Sequence, residues 1–303
     1  MAITCDLLCS LGQDVGLEEV ASAASRITIS TSFSGIGAPE QAHSASCAAM
    51  SALLGRVVSP GRHYFAIEVN KECQYELQMA PASPECLFCE MLDSVLPNIR
   101  RAIVTNLLAL TYDDMRRIFS TPCIMAERMP CVKHNTSCEV KRAQLHVAGT
   151  ECIAWSSQGQ RQGLNDRRIV IFMAWAAQRR QIQEELVLHE NVPQFPPSCL
   201  QQLLGYLHIV REQLSVVLNA RDFGNPYERS RRWTFLIHKG SMRYSPARSK
   251  LLPNWAELLV ASAQPFSLRV FSGPPPFVSD CSDSRCCWKV WFWTDVSLGG
   301  NAS

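Results

Sequence analysis

The segment from Leu145 to Arg168 joins a short apolar strand to a polar loop that holds one cysteine. The strand reads LHVAG, and the loop places Cys152 among serines, glycines and charged residues. A cysteine just past a strand end, in a loop too polar for the core, is both exposed and rigidly held, as a nucleophile must be. Ile169 to Arg180 then has the apolar spacing of a helix. The segment predicts one strand–loop–helix unit of an α/β fold.

A reactive thiol needs a suitable charge environment. Free cysteine titrates near about 8.5, so attack by a thiolate near neutral pH requires nearby cations or hydrogen-bond donors. Arg161, Arg167 and Arg168 lie in the same loop and give it a cationic setting.

A second strand and glycine turn occur upstream, at Arg26 to Ala38, and a helix is predicted from Pro39 to Leu54. Such a turn brings backbone N–H groups and a helix N-terminus close to a ligand. The next predicted strand, His63 to Ile67, ends on Glu68. A carboxylate at the tip of the second strand of a doubly wound sheet can accept the ribose hydroxyls of a nucleoside cofactor. Further helices are predicted from Lys71 to Met79, around Asp113 to Phe119 and from Pro197 to Arg211.

Composition narrows the class of protein. The 303 residues, 47% hydrophobic with a formal net charge of +2, allow one large domain and neither support nor exclude binding to DNA. Fourteen cysteines are scattered through apolar runs, which favours reduced thiols in an intracellular protein. No apolar run approaches the roughly 18 residues of a membrane span. We expect a soluble protein, nuclear if eukaryotic, whose oligomeric state is not determined by these features.

The loop around Cys152 carries a longer pattern, Cys-x3-Ser-x2-Gly-x3-Gly-x2-Asp-x-Arg. It resembles the catalytic loop of C5-cytosine-specific DNA methyltransferases, which use S-adenosyl-L-methionine. The upstream string from Phe33 to Gly37, FSGIG, resembles the cofactor loop of the same family. The resemblance implies a cofactor pocket that includes Phe33, Gly35, Ile36, Gly37, Glu68 and Glu90.

Two further signatures follow Cys152 in the family order. A predicted strand, Glu185 to His189, delivers Glu-Asn-Val, whose Glu190 the resemblance assigns to holding the pyrimidine at N3 and its exocyclic amine. Downstream, Arg229 and Arg231 match the arginines of a Gln-x-Arg-x-Arg motif on an antiparallel edge hairpin. The implied catalytic residues are Cys152, Glu190, Arg229 and Arg231.

The resemblance implies an α/β fold of the S-adenosylmethionine-dependent methyltransferase type, with a mostly parallel sheet and an antiparallel edge hairpin. We expect an N-terminal extension over residues 1–25 and a catalytic domain over 26–240 with an insert at about 92–144. We expect a C-terminal tail over 241–303 that could be a truncated recognition region.

The implied function is methyl transfer to C5 of cytosine in DNA through a covalent bond from Cys152 to C6. Two alternatives stay open. The substrate could be tRNA, or the chain could be a degenerate protein that only binds cofactor or nucleic acid. The second alternative rests on three departures: Glu151 replaces the family proline, Tyr227 replaces the glutamine, and the tail lacks the family's C-terminal signature.

Cysteine and histidine spacing raises one further possibility. Cys123, Cys131, His134 and Cys138 have a C-x7-C-x2-H-x3-C spacing that could close a tetrahedral zinc site. Ordinary loop cysteines with a solvated histidine are the favoured interpretation, because only the C-x2-H-x3-C part resembles usual ligand spacing. A second cluster in the tail, Cys281, Cys286 and Cys287, could also bind a metal, but poorly packed tail cysteines are the favoured interpretation there too. We therefore assign no residue to a metal site at this point.

Overall fold

The computed structural model describes residues 16–156, 159–210, 214–223 and 226–240. The predicted tail over 241–303, with its cysteine cluster, lies outside the described residues, as does most of the predicted N-terminal extension. The described chain forms a single ten-stranded sheet with helices packed against it.

The strands are β1 (Ile29–Ser32), β2 (His63–Ile67), β3 (Cys86–Phe88), β4 (Arg128–Cys131), β5 (Thr136–Glu139), β6 (Leu145–Gly149), β7 (Leu186–Asn191), β8 (His208–Ile209), β9 (Ser215–Asn219) and β10 (Ser230–His238). The helices are α1 (Leu17–Arg26), α2 (Ala38–Leu54), α3 (Lys71–Met79), α4 (Pro97–Asn106), α5 (Tyr112–Ser120), α6 (Ile169–Ile182) and α7 (Pro197–Leu204). Three 3₁₀ turns occupy Met91–Ser94, Gly163–Asn165 and Ala220–Phe223.

Five parallel strands in the order β3-β2-β1-β6-β7 form the centre of the sheet. One edge continues into antiparallel β10, which pairs with β7 and also with β8 and β9. The other edge continues into the antiparallel hairpin β4–β5. The predicted α/β class, with a mostly parallel sheet and antiparallel edge strands, is confirmed.

Local predictions agree best where the pattern was strict. β2, β6 and α3 have the predicted bounds. The helix expected to start at Pro197 and run to residue 211 instead ends at Leu204, because the chain turns at Gly205 and enters the short strand β8. Helix α6 was expected to have one apolar face. Its side chains are buried on almost every side, because it packs on α5 and α7 as well as against the sheet.

The segment at about 92–144 contains more structure than the sequence indicated. The helix expected near Asp113 is α5, which begins with a capping box between Thr111 and Asp114. Helix α4 and the hairpin β4–β5 were not predicted. Upstream, α1 packs on α2 through a small cluster around Ala21, Cys47 and Met50, so this part of the predicted extension lies against the domain.

In the part of the chain that the structure describes, no helix has the length and apolar character that crossing a membrane requires.

Candidate active site

The loops after β1, β2, β6 and β7 leave the same edge of the sheet, because these four strands are parallel. Cys152 follows β6, and Glu190 lies near the end of β7. Arg231 enters from the antiparallel neighbour β10, where Trp233 pairs with Glu190 in the register. Residues two apart on a strand share a face, so Arg231 lies diagonally next to Glu190. The topology thus brings together residues distant in the sequence.

Glu190 and Arg231 form a direct ion pair. Arg231 Nε donates to Glu190 Oε1 at 2.9 Å, and the glutamate side chain is only 5% exposed. Burial raises the pKa of Glu190 to about 7, although Arg231 and Arg229 act in the opposite direction. A carboxyl group that titrates near neutral pH can both donate and accept a proton there.

Cys152 is half-buried, and burial raises the pKa of its thiol. Arg231 is the strongest cationic influence that lowers this pKa, with a smaller contribution from Arg229, while Glu190 raises it. The thiol therefore shares its electrostatic environment with Glu190. Arginines of the same loop were also expected to help, but one of them, Arg168, binds Asp166, with Nε 2.9 Å from Oδ1.

Glu151 adjoins Cys152 in the sequence, and a carboxylate beside a thiol can raise the pKa of that thiol. The carboxylate that does so is Glu190, and the charges acting on Glu151 itself are those of Arg168 and Asp166.

A buried hydrogen-bond network next to the Cys152 loop was not predicted. Thr150 Oγ1 lies 2.7 Å from His189 Nε2, and Asn191 Nδ2 donates to the same hydroxyl at 3.0 Å and to the Thr150 carbonyl at 3.2 Å. These bonds tie the start of the Cys152 loop to the strand that carries Glu190. The sequence signal was the polar residues flanking Cys152 and Glu190, which periodicity alone does not connect.

The glycine loop after β1 lies beside Glu68 at the tip of β2. Glu68 is buried, and its carboxylate accepts the N–H of Gly35 at 2.7 Å and that of Asn70 at 2.8 Å. Gly37 precedes α2 with a φ of 83°, in the left-handed region that glycine adopts readily. Phe33 has a φ of 57°, which is unusual for a side chain of its size. Held strain of this kind is common at ligand sites.

The loop region contains features that fit a polar ligand. The hydroxyls of Ser32 and Ser156 are buried and, within the described ranges, have no hydrogen-bond partner. A shallow cleft opens between Phe33 and the Cys152 loop. It is lined by Phe33, Glu151, Ala154, Trp155, Arg168, Ile169, Ile171 and Phe172. Buried polar atoms beside an apolar cleft are typical of cofactor sites.

The structure also places three further residues that were noted in the sequence, namely Glu90, Tyr227 and Ile36. Glu90, at the tip of β3, forms an ion pair with Arg100 of α4 at 2.7 Å, so its carboxylate is already engaged. Tyr227, which stands where the family has glutamine, is 68% exposed. Ile36, the other predicted pocket residue, accepts a hydrogen bond at its carbonyl from Gln41 Nε2 at 2.8 Å.

Comparison with known proteins supports the resemblance. Residues 132–262 match the family model described as C-5 cytosine-specific DNA methylase. This match contains Cys152, Glu190, Arg229 and Arg231, and the resemblance noted from the motifs is confirmed. No curated protein matches the chain.

Several solved structures are similar over part of their length. A DNA modification methyltransferase encoded within an E. coli prophage is 13% identical, with a TM-score of 0.40 and coverage of 73% of this chain and 49% of that one. The Dnmt2 methyltransferase of S. pombe is 14% identical, with a TM-score of 0.41 and coverage of 73% and 52%. Spodoptera frugiperda DNMT2 is 15% identical, with a TM-score of 0.37 and coverage of 73% and 52%. The chain spans about half the length of these structures, and similarity at this level does not identify a substrate.

Proposed function

We propose that this protein transfers a methyl group from S-adenosyl-L-methionine to C5 of cytosine in DNA through a covalent bond between Cys152 Sγ and C6. The observation that carries the proposal is the shared environment of Cys152 and Glu190, both of which interact with Arg231 at the carboxyl edge of the sheet. A nucleophile and a carboxyl group of pKa about 7 meet there. The match to a cytosine-specific methylase model over 132–262 points to the same chemistry.

The reaction needs activation because C5 of cytosine is a poor nucleophile. Attack of the Cys152 thiolate on C6 forms the S–C6 bond and moves electron density toward N3 and C5. Protonated Glu190 can donate a hydrogen bond or a proton to N3, which stabilises that density. After C5 has taken the methyl group, a water molecule accepts the C5 proton as the S–C6 bond breaks, and any proton given to N3 returns to Glu190. These steps restore the ring, the thiolate and the protonated carboxyl group.

Arg231 has a positioning and an electrostatic role. Its guanidinium stabilises the Cys152 thiolate and holds Glu190 through the 2.9 Å contact, so one cation serves both groups. Arg229 acts on both residues in the same direction. Guanidinium groups at this position can also contact the target base and a phosphate.

Several residues at this edge would hold the cofactor, which supplies an electrophilic methyl group when bound. Glu68 would accept the ribose hydroxyls in exchange for the Gly35 N–H. Phe33, Gly35, Ile36 and Gly37 form the loop beside it, and the buried hydroxyl of Ser32 offers a further polar contact. Glu90 would have to leave Arg100 to take part.

The target base must leave its helix, because Cys152 lies in a loop at a sheet edge and C6 of a stacked base is out of reach. DNA is thus proposed as the partner. The test supplies S-adenosylmethionine with a labelled methyl group and compares incorporation into duplex DNA and into total tRNA, with Cys152→Ser as control. Incorporation into DNA that Cys152→Ser abolishes supports the proposal. Incorporation into tRNA alone, or into neither by a folded protein, contradicts it.

A further inference from the structure

Four side chains that can ligate a metal converge at β3 and the hairpin β4–β5, outside the candidate active site. Cys86 begins β3, Cys131 ends β4, His134 lies in the turn of the hairpin and Cys138 lies in β5. Their ligand atoms all lie within 4.8 Å of one another. Three of these residues belong to the spacing noted in the sequence. The fourth is Cys86 rather than Cys123, which is exposed and outside the group.

The sheet register explains the convergence. Cys131 is opposite Phe88, and Cys138 is opposite Met129. Because residues two apart on a strand share a face, Cys86 and Cys138 are both diagonal neighbours of Cys131 on one face. The fourth group, His134, comes from the tight turn between β4 and β5. No sequence spacing connects Cys86 to the others, so only the fold reveals it.

The distances match a tetrahedral centre. His134 Nδ1 lies 3.4 Å from Sγ of Cys131, 3.4 Å from Sγ of Cys138 and 3.8 Å from Sγ of Cys86. Zinc bonds of about 2.3 Å to sulfur and about 2.0–2.1 Å to nitrogen, at tetrahedral angles, separate these atoms by about 3.6 Å. All three cysteines are free thiols. Three thiolates and an imidazole nitrogen are a ligand set that selects zinc.

We propose that Cys86, Cys131, His134 and Cys138 bind a structural zinc ion that fastens the hairpin β4–β5 to the sheet. With four protein ligands, no coordination position is left for substrate, so the site is structural rather than catalytic. It lies at the start of β3, and the candidate cofactor loops lie at the ends of the parallel strands.

Strand pairing alone holds the hairpin β4–β5 weakly to β3. Its two strands have four residues each, and most of their side chains are exposed or half-exposed. Its ladder with β3 consists of the pair Phe88–Cys131, supported by a 2.7 Å hydrogen bond from Val132 N to the Leu87 carbonyl. Short hairpins are marginal alone. Metal ligands from both β3 and the hairpin would join the two where strand pairing is weakest.

The test measures metal content in the full chain, purified without a metal-affinity tag and with thiols reduced. We expect about one zinc per chain, as four-ligand structural sites hold a single ion. Cys138→Ser and His134→Ala should each lose most of the zinc, and Cys123→Ser is the matched control that should retain it. Replacement of zinc by Co²⁺ should give thiolate-to-cobalt absorption that Cys138→Ser weakens.

A second measurement uses the unmodified protein, so its result does not depend on whether the variants fold. A chelator should lower the melting temperature of the unmodified protein, and added Zn²⁺ should restore it, because metal binding stabilises the folded state. Folded, reduced protein that takes up no zinc from a Zn²⁺ titration overturns the proposal. Equal zinc loss in Cys123→Ser, or a disulfide among Cys86, Cys131 and Cys138 in the protein as isolated, also overturns it.

Discussion

Arg231 Nε lies 2.9 Å from Glu190 Oε1, and the same guanidinium is the strongest cationic influence on Cys152. One residue of the antiparallel strand β10 thus influences the protonation of two groups, Glu190 of β7 and Cys152 in the loop after β6. It lowers the pKa of both, against the effect of burial. This relationship makes the pH dependence of the reaction sensitive to a single charge.

Replacement of Arg231 should move both limbs of the pH profile. The proposed reaction needs protonated Glu190 and the Cys152 thiolate, so kcat/KM should follow a bell bounded by their two pKa values, with the lower limb at about 7. Arg231→Gln removes a charge that lowers both, so both limbs should shift to higher pH. We also expect kcat to fall by about 10²-fold.

The matched control for that change is Arg232→Gln. Arg232 is the next residue, and its Nε donates to the Pro193 carbonyl at 3.1 Å, away from the thiol. Its replacement should leave both limbs in place. A profile that responds equally to the two changes, or to neither, contradicts the role assigned to Arg231.

Ligand binding to the glycine loop should be visible in the melting temperature. At a free S-adenosylhomocysteine concentration of about 100 Kd, linkage gives about 2.7 kcal/mol, which for a domain of this size is about 5–10 °C. Glu68→Ala should abolish most of the shift, because it removes the carboxylate proposed to accept the ribose hydroxyls. Glu85→Gln, at the opposite end of a neighbouring strand, should keep it. A shift retained in Glu68→Ala would contradict this placement of the pocket.

Glu151→Pro tests whether the missing family proline matters through charge or through rigidity. Glu151 is not among the residues with a positive φ, and its charge is not among those that influence Cys152. We expect the pH profile of Glu151→Pro to stay in place, and any change in its activity to come from the stiffer backbone. Glu151→Gln, which removes only the charge, should also leave the profile unchanged. A shift to lower pH in either variant would show that Glu151 does act on the thiol.

Glu40 gives a prediction for stability. It is fully buried near the start of α2, where Thr31 Oγ1 donates to its Oε1 at 2.6 Å, and burial raises its pKa to about 7. The folded state therefore holds a proton that the unfolded state has lost, and stability falls as pH rises from about 4.5 to about 7.

Glu40→Gln should remove this loss. We compare the free energy of unfolding of Glu40→Gln with that of the unmodified protein. The difference should change by about 3 kcal/mol in favour of Glu40→Gln from pH 4.5 to pH 8. Urea denaturation at both pH values measures the difference. Glu76→Gln, on the exposed surface of α3, is the control and should show no such gain. Parallel pH curves for Glu40→Gln and the unmodified protein would contradict the buried carboxyl.

The sequence predicted the central sheet well because its strands have strict local patterns. β2 and β6 are short apolar runs that end in turn residues, and Glu68 and Cys152 follow directly from their ends. What the sequence could not show depends on pairing across the sheet. The Glu190–Arg231 contact requires the β7–β10 register, and Cys86 joins the three later ligands only because β3 lies beside β4. Motif spacing reports positions along the chain, and strand pairing sets the distances between them.

The most direct test of the central claim is covalent trapping of the nucleophile. Duplex DNA with 5-fluorocytosine at the target position is incubated with the protein and S-adenosylmethionine, and the product is analysed by denaturing electrophoresis and mass spectrometry. Fluorine at C5 cannot leave as a proton does, so the S–C6 bond should persist. We predict an adduct located at Cys152 and absent in Cys152→Ser. A folded protein that binds the DNA and the cofactor but forms no adduct, or forms one at another residue, would contradict the account.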